Sequence, residues 1–365
     1  MFKIPYVNLA AQWLEEKEEL LPIIEKILAS GQYISTSVVE EFEINASKIC
    51  NTKHCVALNS GTDALVFGLA ALGVKRGDEV ITPPNSFVAS TSTITHLGAK
   101  PVFVDVLPDQ NIDPSKIEAA ITKNTKAVMP VHLTGRMARM DDIRDISVKY
   151  NLQIIEDSAQ AIGSKYLNVP SGKWGKVGCF STHPLKNLNG CGDGGFLVTD
   201  DDEIATRIKL LRTHGMSGRN TVMHFGYVSR MDSIQAAILN YRIGKLHLVT
   251  EKRRKNAELY YNLLNRNKVF IPEQRIEEYN TFHTFVIQVE NRDQLKEKLA
   301  KAGIQTGIHY PIPIHLQPAS IKFGYKKGDF IMTENQAGKI LTLPVNQYLT
   351  NSEVTEIAHQ VNLLS

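Results

Sequence analysis

HCVAL at 54–58 is the first of a series of short apolar runs that decides how this chain folds. EVITP (79–83), PVFVDV (101–106), KAVMPV (126–131), LQIIED (152–157) and KVGCFS (176–181) follow it at near-even spacing. Between most of them lie stretches with helical character. After Asp63 comes ALVFGLAALG, apolar and closed by glycine. MDDIRDISVKYN (140–151) has acids early, a lysine late and Asn151 to stop it, and DDEIATRIKLLRTHG (201–215) has the same polarity, with Gly215 expected as its C-cap. Strand–helix alternation of this kind predicts an α/β fold with a mostly parallel sheet and helices on its faces. Ligands of such sheets bind beyond the carboxyl ends of the strands, so chemistry is expected just after each apolar run.

The rhythm changes near 240–250. IGKLHLVTEKRRKNAELYYNLLNR is a long charged helical stretch, followed by TFHTFVIQV (281–289) as short strand, RDQLKEKLAKAG (292–303) as helix, the proline-rich loop HYPIPIHLQPA (309–319) and a helical NSEVTEIAHQVNLL. We expect a large domain over 1–245 and a smaller C-terminal α+β domain over 246–365.

Composition sets the outer limits. With 365 residues, 43% hydrophobic and 22% charged, the chain is ordinary globular protein with ample core. Lys plus Arg number 41 against 38 for Asp plus Glu, so the balance offers no basic surface for nucleic acid. No apolar run approaches the ~18–20 residues of a membrane span, and MFKIPYVNLAAQWLEEKEELL turns acidic where a signal peptide would be apolar. A soluble cytoplasmic protein is expected, with no nucleic-acid or membrane partner. Cys50, Cys55, Cys179 and Cys191 lack the spacing of a metal site or a disulfide framework and are expected to be buried, inert thiols.

The strand ends carry the candidate residues. Ser60-Gly61-Thr62-Asp63 opens a helix after the first strand; free amides, a glycine and hydroxyls there suit a phosphate, and SGTD equally suits a helix cap. Phe87, after the second strand, is either a cover for a flat heterocycle or core. Asp157 ends LQIIED with Gln160 three residues on; such a carboxylate either meets a protonated ring nitrogen or caps a helix. Ser181 and Lys186 flank THPL ahead of NGCGDGG and the strand FLVTD. A lysine at a sheet mouth forms Schiff bases once its amine, ordinarily near pKa ~10.4, is shifted; a lone lysine otherwise reads as surface. His132 and His183 lie near the same cleft, with His183 favoured for its place between Ser181 and Lys186. Together these supply an anion cradle, a ring cover, a carboxylate and a Schiff-base lysine, which is what a pyridoxal phosphate site needs.

At these residues the chain resembles the DegT/DnrJ/EryC/StrS sugar aminotransferases, fold-type I enzymes with an aspartate-aminotransferase-like large domain. The resemblance runs from IPYVNLAAQ and GQYI through SGTDAL, GDEVITPPNSFVAS, GAKPVFVDV, PVHLTG, IIEDSAQAIGSKY, CFSTHPLKNL, GDGG and SRMDSIQAAIL to HYPIPIHLQPA. It implies that Lys186 bonds to pyridoxal 5′-phosphate, that Asp157 pairs with the ring nitrogen and Gln160 lies near the ring hydroxyl, that Phe87 stacks on the ring, and that Gly61, Thr62 and Ser181 hold the phosphate. Arg230, His309 and Tyr310 match substrate-facing elements. The reaction implied takes the amino group of L-glutamate to a nucleotide-linked keto sugar, in a homodimer with shared active sites. GDGG resembles the branch that aminates carbon 3, as in building cell-surface polysaccharide. The other readings are a 4-keto sugar or cyclitol ketone as acceptor, or a non-catalytic pyridoxal-binding protein. Family members with histidine at the lysine position are dehydratases; this chain has Lys186. One departure stands out: an asparagine that reaches the partner subunit's cofactor phosphate is replaced by Val228, with Tyr227 and Ser229 as neighbouring substitute donors.

Overall fold

The computed structural model describes residues 2–365. Two helices, α1 (Leu9–Ser30) and α2 (Ser37–Cys50), precede the first apolar run. The six runs then become β1 (His54–Leu58), β2 (Glu79–Thr82), β3 (Lys100–Phe103), β4 (Thr125–Val128), β5 (Gln153–Asp157) and, after a hairpin of β6 (Lys165–Tyr166) and β7 (Val169–Pro170), β8 (Val177–Ser181). FLVTD forms β9 (Gly195–Thr199). Helices α3 (Gly61–Ala71), α4 (Val88–His96), α5 (Ile117–Ala120), α6 (Met140–Lys149) and α7 (Asp202–Leu211) connect these strands or follow the last of them.

The sheet has the order β1-β9-β8-β5-β4-β2-β3. From β3 to β8 every pairing is parallel, and β9 runs against both of its neighbours. The carboxyl ends of β1, β2, β4, β5 and β8 therefore share one edge, which gathers Ser60, Asp157 and Ser181 although the sequence separates them widely. Buried side chains fill both faces. Leu65, Leu69 and Val80 pack on one, and Phe42, Phe180, Phe196 and Leu239 on the other, where the Phe180 and Phe196 rings stack 4.7 Å apart.

The expected long helix is α8 (Ser233–Leu263), which begins ten residues before IGKLHLV and runs unbroken through 245/246. Its first half packs in the core with Phe42 and Phe196. Its second half, through Ala257 and Tyr260, joins a separate core with Phe285, Leu299, Leu341 and Ile357. That core is built on β11 (Phe285–Gln288), which follows β10 (Glu278–Tyr279) and pairs with β12 (Ile340–Leu343), under α9 (Arg292–Lys301), α10 (Ile331–Lys339) and α11 (Asn351–Leu364). Among the described residues no helix is long and apolar enough to cross a membrane.

Two local expectations change. Helix α7 ends at Leu211, so Gly215 is not its cap. Gly215 instead turns at φ +75° where a Cβ would strike the His224 carbonyl, so only glycine lets the two segments cross. Cys191 is exposed, unlike the other three cysteines, because the glycine-rich turn carrying it lies outside both cores. Asn151 stops α6 as expected, in a left-handed conformation at φ 52°.

Candidate active site

At the mouth of β1, Ser60 caps α3, its hydroxyl accepting from the Asp63 amide at 3.1 Å. The cap leaves the amides of Gly61 and Thr62 without a use inside the helix. A Cβ on Gly61 would sit 2.7 Å from the Ser181 Cβ, and one on Gly195 would lie 2.3 Å from the Ser60 carbonyl carbon. Glycine at both positions thus seats the N-terminus of α3 directly against the end of β8 and the start of β9, bringing Gly61 beside Ser181. The cap is present, and because it uses the Asp63 amide it does not occupy those of Gly61 and Thr62.

Phe87 is not core: it is 55% exposed at the start of α4, its ring 5.9 Å from that of Tyr310. Asp157 is buried at the end of β5, accepting from Ser90 Oγ at 2.7 Å and from the Ala159 amide at 3.2 Å. No helix follows, so it is no helix cap. Burial raises its carboxyl above the ordinary range, against the pull of Ser90, Ala159, Lys186 and His132. Gln160 is fixed by the Thr134 amide, 2.8 Å from its Oε1.

Lys186 lies on the irregular loop after β8, with its amide bonded to the His183 carbonyl at 2.8 Å. Burial pushes its amine down to about 8, partly opposed by Asp157. Around it stand His183, exposed, with Nδ1 accepting from the Leu185 amide, and His309, whose Nδ1 lies 2.9 Å from Thr342 Oγ1. Desolvation and the Lys186 charge lower His309 to about 4, so its imidazole is neutral at ordinary pH. Burial and the Asp157 charge push Tyr310 up to about 12. Arg230 is half-buried, and its Nε has no partner among the described residues.

His132 does not face this cleft. It is fully buried, with Nδ1 accepting from the Ala138 amide and Nε2 donating to Glu156 at 2.9 Å. Both ring nitrogens are consumed, so it is a structural histidine. Ser229 is likewise committed to its own chain: buried, it donates to Asn59 Oδ1 at 3.2 Å. The Tyr227 ring lies 5.4 Å from that of Phe67, and Val228 is 54% exposed. Sequence reading missed Ser90, which holds Asp157, and His283, whose Nδ1 is buried without a partner among the described residues and whose imidazole is held well below its usual range by burial and then by Lys186. No signal in FVAST or TFHTF marks either residue.

A buried carboxylate without a cation in contact, a helix N-terminus open to an anion, an exposed ring at the cleft and an amine depressed by burial fit pyridoxal phosphate, with its ring nitrogen, phosphate, flat face and aldehyde. Among the described residues no cluster of three or more His, Cys, Asp or Glu is placed to hold a metal. Amino-group transfer is one of the reactions that a lysine of lowered basicity performs beside such a cofactor, and the sheet is that of the fold-type I aminotransferases. The chain belongs to the DegT/DnrJ/EryC1/StrS aminotransferase family, whose model matches residues 14–362. It is 38% identical to the pleiotropic regulatory protein of Geobacillus stearothermophilus, over 98% of this chain and 97% of that one. It is 37% identical to the UDP-2-acetamido-2-deoxy-3-oxo-D-glucuronate aminotransferase of Pseudomonas aeruginosa, over 96% and 97%. Streptomyces venezuelae DesV, solved with a ketimine intermediate, superposes with a TM-score of 0.97 at 35% identity, over 100% of this chain and 98% of that one. The cofactor is pyridoxal 5′-phosphate.

Proposed function

We propose that this protein moves the amino group of L-glutamate to carbon 3 of a nucleotide-linked keto sugar, in the cytoplasm, as a step in amino-sugar or lipopolysaccharide building. The observation that carries the chemistry is the presence, near each other at the sheet mouth, of a lysine whose amine burial lowers to about 8 and a buried carboxylate, Asp157, held by Ser90 at 2.7 Å. The acceptor follows from relatives such as the 3-oxo-glucuronate aminotransferase, together with the GDGG run after Lys186.

Pyridoxal phosphate, when bound, supplies an electron sink for the bond broken at the amine-bearing carbon. The protein supplies the rest. The amides of Gly61 and Thr62, with the Ser181 hydroxyl, hold the phosphate. Phe87 covers one ring face and Gln160 holds the ring hydroxyl. Asp157 keeps a proton on the ring nitrogen, and burial makes that ion pair strong. Lys186 Nζ, neutral in a useful fraction near pH 8, would take the proton from the substrate's amine-bearing carbon and return it to the cofactor carbon on the far side of the shared nitrogen. Arg230, His183, His309 and Tyr310 face the substrates; the neutral His309 and protonated Tyr310 offer hydrogen bonds without charge.

We also infer a homodimer with shared sites. The segment 222–228 leaves Val222, Met223, Phe225, Tyr227 and Val228 exposed, an apolar surface that a second copy would cover. With Ser229 engaged by Asn59, Tyr227 is the remaining neighbour able to replace the missing asparagine. The separate cores about α8 support a division into 1–245 and 246–365, with that helix shared. The direct test is Lys186→Ala, which should lose the visible absorbance of lysine-bound cofactor and all turnover with glutamate; wild-type turnover in this variant would end the assignment.

A further inference from the structure

Lys186 sits on a loop, and its side chain has no hydrogen bond among the described residues; something else must fix its height in the cleft. Behind the loop lies a closed polar ring. Asn189 Nδ2 donates to Gln12 Oε1 at 2.9 Å and to the Pro184 carbonyl at 2.9 Å, while Gln12 Nε2 donates back to Asn189 Oδ1 at 3.0 Å. Arg242 Nη1 donates to the Asn189 carbonyl at 2.7 Å, and Arg242 Nε and Nη2 both reach Glu16 Oε2, at 3.0 and 2.7 Å. Gln12 Nε2 also reaches Glu16 Oε1 at 3.2 Å, closing the ring.

All four residues are buried, none more than 8% exposed. Gln12 and Glu16 come from α1 and Arg242 from α8, so two helices grip the loop through a single asparagine. Such an arrangement is an expensive way to gain stability. A buried ion pair roughly offsets its own desolvation, and apolar side chains of the same volume would serve as well or better. What the ring does provide is a fixed backbone: Asn189 ties down Pro184, two residues before Lys186, while Asn187 Nδ2 bonds the Thr281 carbonyl just after it.

We propose that Gln12, Glu16, Asn189 and Arg242 form a positioning unit for Lys186, holding its amine at the reacting carbon without touching substrate or cofactor. This rests on Lys186 being the catalytic base. Misplacing a reacting group by about 1 Å costs on the order of 100-fold in rate. A loosened loop also lets water reach the amine, so Lys186 returns toward its ordinary 10.5 from about 8.

The test uses the full-length protein with Gln12→Ala, Asn189→Ala, Arg242→Lys and the Gln12→Ala/Asn189→Ala double variant. Glu16→Gln serves as the mild change should a truncation fail to fold. Two quantities are read. The first is the rate of the glutamate half-reaction at saturation, against KM. The second is the Lys186 titration in cofactor-free protein, from the pH dependence of its acetylation followed by mass spectrometry. We expect the rate to fall about 10- to 100-fold with KM little changed, the Lys186 titration to move up, and the double variant to lose no more than the worse single one. Folded variants with wild-type rate and titration, or strictly additive losses, would overturn the proposal. Lys186→Ala is the control that separates the two claims: if it stays active the assigned function fails, and if it is dead while the ring variants are normal only the positioning role fails.

Discussion

Asp157→Asn separates the chemistry of this site from its architecture. The substitution keeps volume and shape. Asparagine Oδ1 still accepts from the Ala159 amide, which lies 3.2 Å from the carboxylate, and the Ser90 hydroxyl, at 2.7 Å, turns to accept from Nδ2. The fold therefore loses at most the charge assistance of two hydrogen bonds. Catalysis loses the anion that keeps the ring nitrogen protonated. Removal of one buried electrostatic group of this kind costs about 3–4 kcal/mol, on the order of 100- to 1,000-fold in kcat. Stability moves the other way. Because burial raises the Asp157 carboxyl, the cofactor-free native state binds its proton more readily than the unfolded chain does. Its stability accordingly falls as pH rises through the window from 3.8 to the raised native value, and the penalty is fully present above it. Cofactor-free Asp157→Asn should thus melt higher than wild type at neutral pH, with the gain vanishing below 3.8. Stopped-flow half-reactions with glutamate and thermal melts of cofactor-free protein across pH measure both. Near-normal kcat with cofactor bound would refute the catalytic reasoning; a lower neutral-pH melting temperature would refute the electrostatic reasoning.

Lys186→Met should stabilise cofactor-free protein below about pH 8. There the buried ammonium costs most, and the gain should shrink between 8 and 10.5, as melts across pH would show. Gly61→Ala should weaken cofactor binding, because its Cβ would lie 2.7 Å from that of Ser181 and push α3 away from β8; dialysis against buffer lacking cofactor reads the faster loss. Val228→Asn should slow that loss about 10- to 100-fold, the worth of one hydrogen bond to a phosphate; no change would mean a substitute donor already exists, and Tyr227→Phe then shows whether it is the Tyr227 hydroxyl or a bridging water.

The parallel sheet was legible because each strand is a short apolar run, and those runs need no partner to be seen. The reversed direction of β9 was not, since FLVTD reads the same either way and only pairing with β1 and β8 sets it. Helix α4 (VASTSTITH) consists, apart from Ala89, of poor helix formers and exists because Ser90, Thr91, Thr93 and Ile94 are buried against the sheet. At the site, Asp157 and Ser181 were visible from their places at strand ends, and Lys186 from its place on the loop just beyond one. Tertiary context decided His132, whose partner Glu156 lies 24 residues on, and Ser229, whose partner Asn59 lies 170 residues back. The ring behind Lys186 joins Gln12 to a residue 177 positions away, a separation at which no local pattern operates.

The central claim is amino transfer from glutamate to a nucleotide-linked 3-keto sugar at Lys186. Its most direct measurement offers the purified holoenzyme L-glutamate with a panel of nucleotide-linked 3-keto and 4-keto sugars and a cyclitol ketone, follows 2-oxoglutarate release, and locates the new amine by NMR. The account predicts stoichiometric 2-oxoglutarate and an amine at carbon 3, both abolished in Lys186→Ala. Exclusive amination at carbon 4, or no 2-oxoglutarate from any acceptor, would contradict it.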